Sequence, residues 1–100
     1  MTDLDVYRWL GAVAASAPDI SVVRTVCDGD RLLCWIVTTA RGEAGVTRDS
    51  VERAAARMSV HAAGPWLRLV AAQAAWDRAQ AAAATERLAA AGGAVVASGP

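Results

Sequence analysis

Residues 65–91 read PWLRLVAAQAAWDRAQAAAATERLAAA, from Pro65 to Ala91, with no glycine and with proline only at the first position. The run reads as one long helix, because Ala is the strongest helix former and Leu, Gln, Arg and Glu follow it closely. Gly64-Pro65 makes a start, since proline at the first helical position gives up a donor that would be unpaired there anyway. Gly92-Gly93 makes a stop. At 1.5 Å per residue the helix is about 40 Å long, whereas a compact chain of this size has a radius of gyration of about 13 Å. It is expected to run the length of its domain or beyond.

In heptads the helix has one seam of Leu67, Val70, Ala74, Asp77, Ala81, Ala84, Leu88 and Ala91. Almost opposite lies a second, Leu69, Ala72, Trp76, Ala79, Ala83 and Ala90. A surface helix normally carries one apolar stripe. Two stripes fit a helix covered by its own domain on one side and by another body on the other. They also fit a helix whose exposed positions hold Ala because Ala costs nothing there. The two situations are evenly balanced on this pattern, and Leu69 and Trp76, two turns apart on one face, are what keep the first one open. Asp77 sits on a seam, where a single polar residue in a helix–helix contact fixes register or partner, with Arg78 and Arg68 as candidate counter-charges. The expected interface residues are Leu67, Leu69, Val70, Trp76, Asp77 and Leu88.

Upstream, Thr47 to about His61 reads as another helix, capped by Thr47 or by Asp49 in an Asp49-Ser50-Val51-Glu52 box. Its inner stripe is Val51, Ala55 and Met58. Before it, ISVVRTVCDGDRLLCWIVTT (Ile20 to Thr39) is a β-hairpin, rich in Val, Ile, Thr and Trp on both arms and turning at Asp28-Gly29-Asp30. The second arm is apolar on both faces over Leu32–Val37, so it is expected inside the sheet with the first arm at an edge. A bare hairpin is marginal; a short third strand at Gly45–Thr47 or pairing with a second copy would remedy that. Thr2 to Ala17 forms a first helix, capped by Thr2 with Asp5 three residues on, burying Val6, Trp9, Leu10, Val13 and Ala17. Pro18 ends it.

The fold is therefore expected to be α+β, in the order α-β-β-α-α with room for a short third strand. Residues 1–91 form a single domain and 92–100 a flexible tail. The α-β-β-α order is similar to that of small dimeric secretion-type chaperones, a resemblance of element order alone, which implies a dimeric, partner-presenting module. The triplet Trp9-Leu10-Gly11 is shared with small secreted helical hairpins, but they place it in a turn between two helices, whereas a strand-rich region follows it here.

Composition limits the core. The chain is 55% apolar, but Ala supplies 25 of those residues and Phe none, so the large side chains are few. Self-association is one remedy for a thin core. All ten basic residues are Arg, and Lys and Asn are absent along with Phe; all three missing types have A/T-rich codons, so a GC-rich bacterial genome accounts for the pattern. Formal net charge is zero, which argues against nucleic acid or an anionic membrane as the main partner. No 18-residue apolar run and no basic start before an apolar stretch are present, so neither a membrane span nor a signal peptide is expected. Cys27 and Cys34 read as free thiols of a reducing cytoplasm, not opposite each other in the hairpin.

Few residues suggest chemistry. Cys34 and His61 are the one conceivable thiolate–imidazole pair, but Cys34 among Leu33, Trp35 and Ile36 suits a small buried hydrophobe equally. The Cys spacing is not that of a zinc site. The tryptophans could line a pocket or simply be core. Segment 51–70, with Ala55, Met58, Val60 and Leu67, has the look of a helix-turn-helix, although Arg68 is the only basic residue opening its second helix. The expectation is a non-enzymatic protein-interaction module (adaptor, chaperone-like or assembly component) with no cofactor or metal, self-associating as a homodimer through its long helix. The alternative is a DNA-binding regulator using 51–70.

Overall fold

A computed structural model describes residues 1–91 with their side chains and 92–98 only as backbone of the last helix. The backbone of the last helix continues through Gly92-Gly93, where a stop was expected, to Ser98; the side chains of 92–98 and residues 99–100 lie outside the described residues. The elements are α1 (Asp3–Ser16), β1 (Ser21–Asp28), β2 (Arg31–Thr39), β3 (Gly42–Val46), α2 (Arg48–Arg57) and α3 (Val60–Ser98). The chain is α+β, and the third strand is present.

Local chemistry explains the boundaries. At the start of α1, Asp5 N–H donates to Thr2 Oγ1 at 3.1 Å and Thr2 N–H donates to Asp5 Oδ2 at 2.8 Å. This closed box satisfies two otherwise free amides, and the Thr2 amide holds the Asp5 carboxyl below its usual range. At α2 the same device uses Thr47 and Ser50, not Asp49 and Glu52; Asp49 instead pairs with Arg53 one turn on, at 2.9 Å. β1 and β2 join through Gly29-Asp30, where Gly29 has φ +61°. Glycine takes that left-handed geometry without the penalty a Cβ imposes.

The three strands form an antiparallel meander, β1-β2-β3, with β2 inside as its two apolar faces require. Trp35, Val37 and Thr39 of β2 pair with Val46, Ala44 and Gly42 of β3, and all but Gly42 are buried. On the other face Cys34, Ile36 and Thr38 stay half-exposed. Cys34 pairs with Val26 and Cys27 with Leu32, so the thiols are not opposite and both are free. The register of β1 against β2 slips twice, leaving Val23 and Leu33 as the extra residues. Both are exposed, at 48% and 44%, as expected of side chains that bulges take out of the ladder.

The core joins Val6, Leu10, Val13 and Ala17 of the first helical segment, Ile20, Trp35, Val37 and Val46 of the sheet region, Val51 of α2, and Ala63 and Leu67 of α3. The inward face expected of α1 is realised, with Trp9 at its margin. On α2 the buried pair is Val51 and Ala54, with Ala55 and Met58 half-buried.

The start of α3 corrects the sequence expectation. The chain turns at Met58–Ser59, where Ser59 C=O accepts from Ala62 N–H at 3.1 Å, and the helix runs through Gly64 and Pro65. Proline here removes the bond to the His61 carbonyl, but His61 is exposed and water can serve that oxygen. The earlier start lets Ala63, Leu67 and Ala71, all fully buried, form one stripe at i, i+4, i+8. Leu67 therefore belongs to the domain's own core and is unavailable to a partner.

One ion pair fixes this seating. Arg68 Nε and Nη2 donate to Asp19 Oδ2 and Oδ1 at 2.9 and 2.7 Å, and Ala40 N–H donates to Oδ2 at 3.1 Å. Asp19 thus ties the α1–β1 connection, the β2–β3 turn and α3 together. The Arg68 hydrogen bonds and then the Ala40 amide hold its carboxyl well below the usual range. Because the folded value lies below the unfolded one, near 3.9, the contribution is complete above about pH 4 and is lost as the pH falls further. Urea unfolding between pH 6 and pH 2 should show stability declining with acid, and a shallower decline in Asp19→Asn. An unchanged acid slope in that variant would contradict the role.

Gly64 provides a second test. A Cβ built there meets Ile20 Cδ1 at 3.5 Å and Ala17 Cβ at 3.6 Å, ordinary contact distances, and the residue is mid-helix without positive φ. Gly64→Ala should raise stability by about 0.5–1 kcal/mol, read from the denaturation midpoint. A lower midpoint would mean that α3 cannot accommodate even a methyl group at this crossing.

Candidate interaction surface

Helix α3 packs against β3, α1 and β2, but only through its first half. Ala71 is its last fully buried residue, and Ala74 and Ala75 are half-buried. From Trp76 to Ala91 every residue is exposed except Ala83 and Ala84, small side chains partly shaded by the helix itself. The molecule is correspondingly elongated, 60 × 30 × 22 Å with a radius of gyration of 18.2 Å.

The expected interface residues fall into three groups. Leu67 is core, as described, and Val70 is half-buried beside it. Leu69, Trp76 and Leu88 are open to solvent, at 70%, 59% and 73% exposure. Asp77 is also exposed, accepting from Gln73 Nε2 one turn earlier at 2.9 Å. Arg68 is committed to Asp19 and does not neutralise Asp77. Leu69 and Trp76 share a shallow depression with Ala72 and Gln73, which continues past Leu69 to Pro65, Arg68 and Arg41. This face points away from the Ala63-Leu67-Ala71 stripe, so the domain's own core cannot cover it.

The chemical candidates do not assemble. No hydrogen bond joins Cys34 and His61 among the described residues, and no group of three or more metal-capable side chains occurs among them. The tryptophans occupy separate surroundings. Trp35 is core; Trp9 and Trp66 meet edge-to-face with centroids 6.1 Å apart, a favoured aromatic arrangement; Trp76 lies on the surface. In segment 51–70 the link between helices is only Met58–Ser59, but α2 packs chiefly on α1 and Arg68 is engaged. A groove-reading helix needs exposed polar side chains in its first turns, and over residues 60–67 α3 exposes His61 alone of that kind. Among the described residues, no helix is long and apolar enough to cross a membrane.

Other apolar side chains outside the core went unread in the sequence. On α1, Leu4 and Tyr7 are 55% and 52% exposed. The neighbouring inward positions of the same helix masked them, and only a count of apolar residues beyond one stripe could have found them.

If the second half of α3 is independent of the domain, breaking it should spare the core. Ala81→Pro removes one helical bond and clashes with the preceding turn. It should lower the far-ultraviolet helical signal while the near-ultraviolet signature of buried Trp35 persists. Joint loss of both signals would show that the exposed half supports the core. No protein-family model matches this chain, and neither does any curated protein or solved structure.

Proposed function

We propose that the chain is a small non-enzymatic protein-interaction module that self-associates as a homodimer through the exposed half of α3 and presents its remaining surface to another protein. The observation that supports it is that α3 leaves its domain after Ala75 still carrying Trp76 and Leu88 exposed, with Leu69 exposed on the outer face of its packed half. Helices in water owe most of their stability to packing of an apolar face, and short unsupported ones are marginal even when Ala-rich. A helix standing off its domain with large apolar side chains gains by being covered. The limited set of large core residues gives the same incentive.

The test is solution mass by light scattering across a dilution series, for the wild type and for Leu69→Asp/Trp76→Asp. Burying a large apolar side chain contributes about 1.5–3 kcal/mol, so the double change should weaken the dimer by roughly 100-fold or more and yield folded monomers. A wild type that is monomeric at every concentration would overturn the proposal.

A further inference from the structure

The exposed half of α3 carries four charges, Asp77, Arg78, Glu86 and Arg87. None has an opposite charge three or four residues away, the spacing at which a solvated helix pairs its own charges. None enters an ion pair among the described residues. Their placement is symmetric in another sense. Asp77 and Arg87 lie equally far from Ala82 on either side, as do Arg78 and Glu86, and also Trp76 and Leu88. Laid against a reversed copy of itself about Ala82, the helix brings acid to the level of base at every charged position and Trp76 to the level of Leu88.

We infer that a second copy of this chain docks antiparallel along the exposed half of α3, with a two-fold axis near Ala82 and Asp77 of each copy paired with Arg87 of the other. The inference rests on the self-association proposed above and specifies its geometry. Gln73, Asp77, Gln80, Ala84, Arg87 and Ala91 follow one another at alternating steps of four and three, the spacing of a helix–helix seam. Reversal about Ala82 maps this set onto itself: Asp77 meets Arg87, Gln80 meets Ala84, and Gln73 meets Ala91. Trp76 and Leu88 then flank the seam on opposite sides, over the small side chains of the second copy, and alanines at the crossing let the backbones approach closely. The seam lies off the side that seats Ala63, Leu67 and Ala71.

The parallel alternative fails on charge. In register it places Asp77 on Asp77 and Arg87 on Arg87 along the seam, and like charges across a helix pair select against that partner arrangement. The Gln73–Asp77 hydrogen bond uses one carboxylate oxygen and leaves the other for an arginine.

A charge-swap cycle on the full chain tests the geometry. Sedimentation across a concentration series would compare the wild type, Asp77→Arg, Arg87→Asp, the double variant carrying both changes, and an equimolar mixture of the two single variants. All are solvent-exposed substitutions, and circular dichroism checks that each stays helical. Each single reversal sets like charges together at two symmetric places and should raise the dimer dissociation constant at least about tenfold. The double variant and the mixture restore opposite charges and should return to near the wild-type value. A wild-type dimer indifferent to the single reversals, or not rescued by the double swap, would overturn the antiparallel register while leaving self-association intact. A wild type that never dimerises would overturn both.

Discussion

Everything in this molecule depends on how the long helix is held at one end. Ala63, Leu67 and Ala71 make a narrow stripe of small and medium side chains, and Gly64 beside them lies against Ala17 and Ile20. That stripe is short, and hydrophobic packing alone does not fix where a helix slides. The two-pronged Arg68–Asp19 pair does, because planar guanidinium and carboxylate groups meet well in only a few orientations. Since Asp19 also accepts from Ala40 N–H, the same contact positions the connection before β1 and the turn before β3.

With one end fixed, the geometry of the rest follows. The sheet has one face against α1 and α3 and one half-open face, and its edge strand β1 pairs with β2 through two register slips, one leaving Val23 of β1 and the other Leu33 of β2 outside the ladder. Such irregularities discourage continuous edge pairing, which makes the hairpin edge the weaker of the two contact surfaces considered from the sequence. The helix side is different. Its exposed half is regular, apolar in places and charged in a pattern that nothing in its own domain neutralises.

Much of this was legible in the residues. Val6, Leu10 and Val13 announced the inward face of α1, Asp28-Gly29-Asp30 the hairpin turn, and the doubly apolar run Leu32–Val37 the central strand, because each is a local pattern with a period of its own. What was not legible depends on tertiary contact. Gly64-Pro65 looks like a helix start, and only the burial of Ala63 in the core and of Gly64 against Ala17 and Ile20 shows why the helix continues through it. Leu67 reads as a seam residue on either side of a helix until the position of the core decides which. Arg68 and Asp19 are 49 residues apart, and no sequence period connects them.

On the proposed self-association, the second half of α3 is protected by contact with another copy and not by its own domain. Amide hydrogen exchange measured as a function of protein concentration tests this directly. Amides of residues 63–71 should be protected at every concentration, because the domain core holds them. Those of residues 76–91 should exchange quickly in dilute solution and slow as concentration rises, since protection there tracks the population of the dimer. Exchange in 76–91 that does not change with concentration, whether fast or slow, would contradict the account.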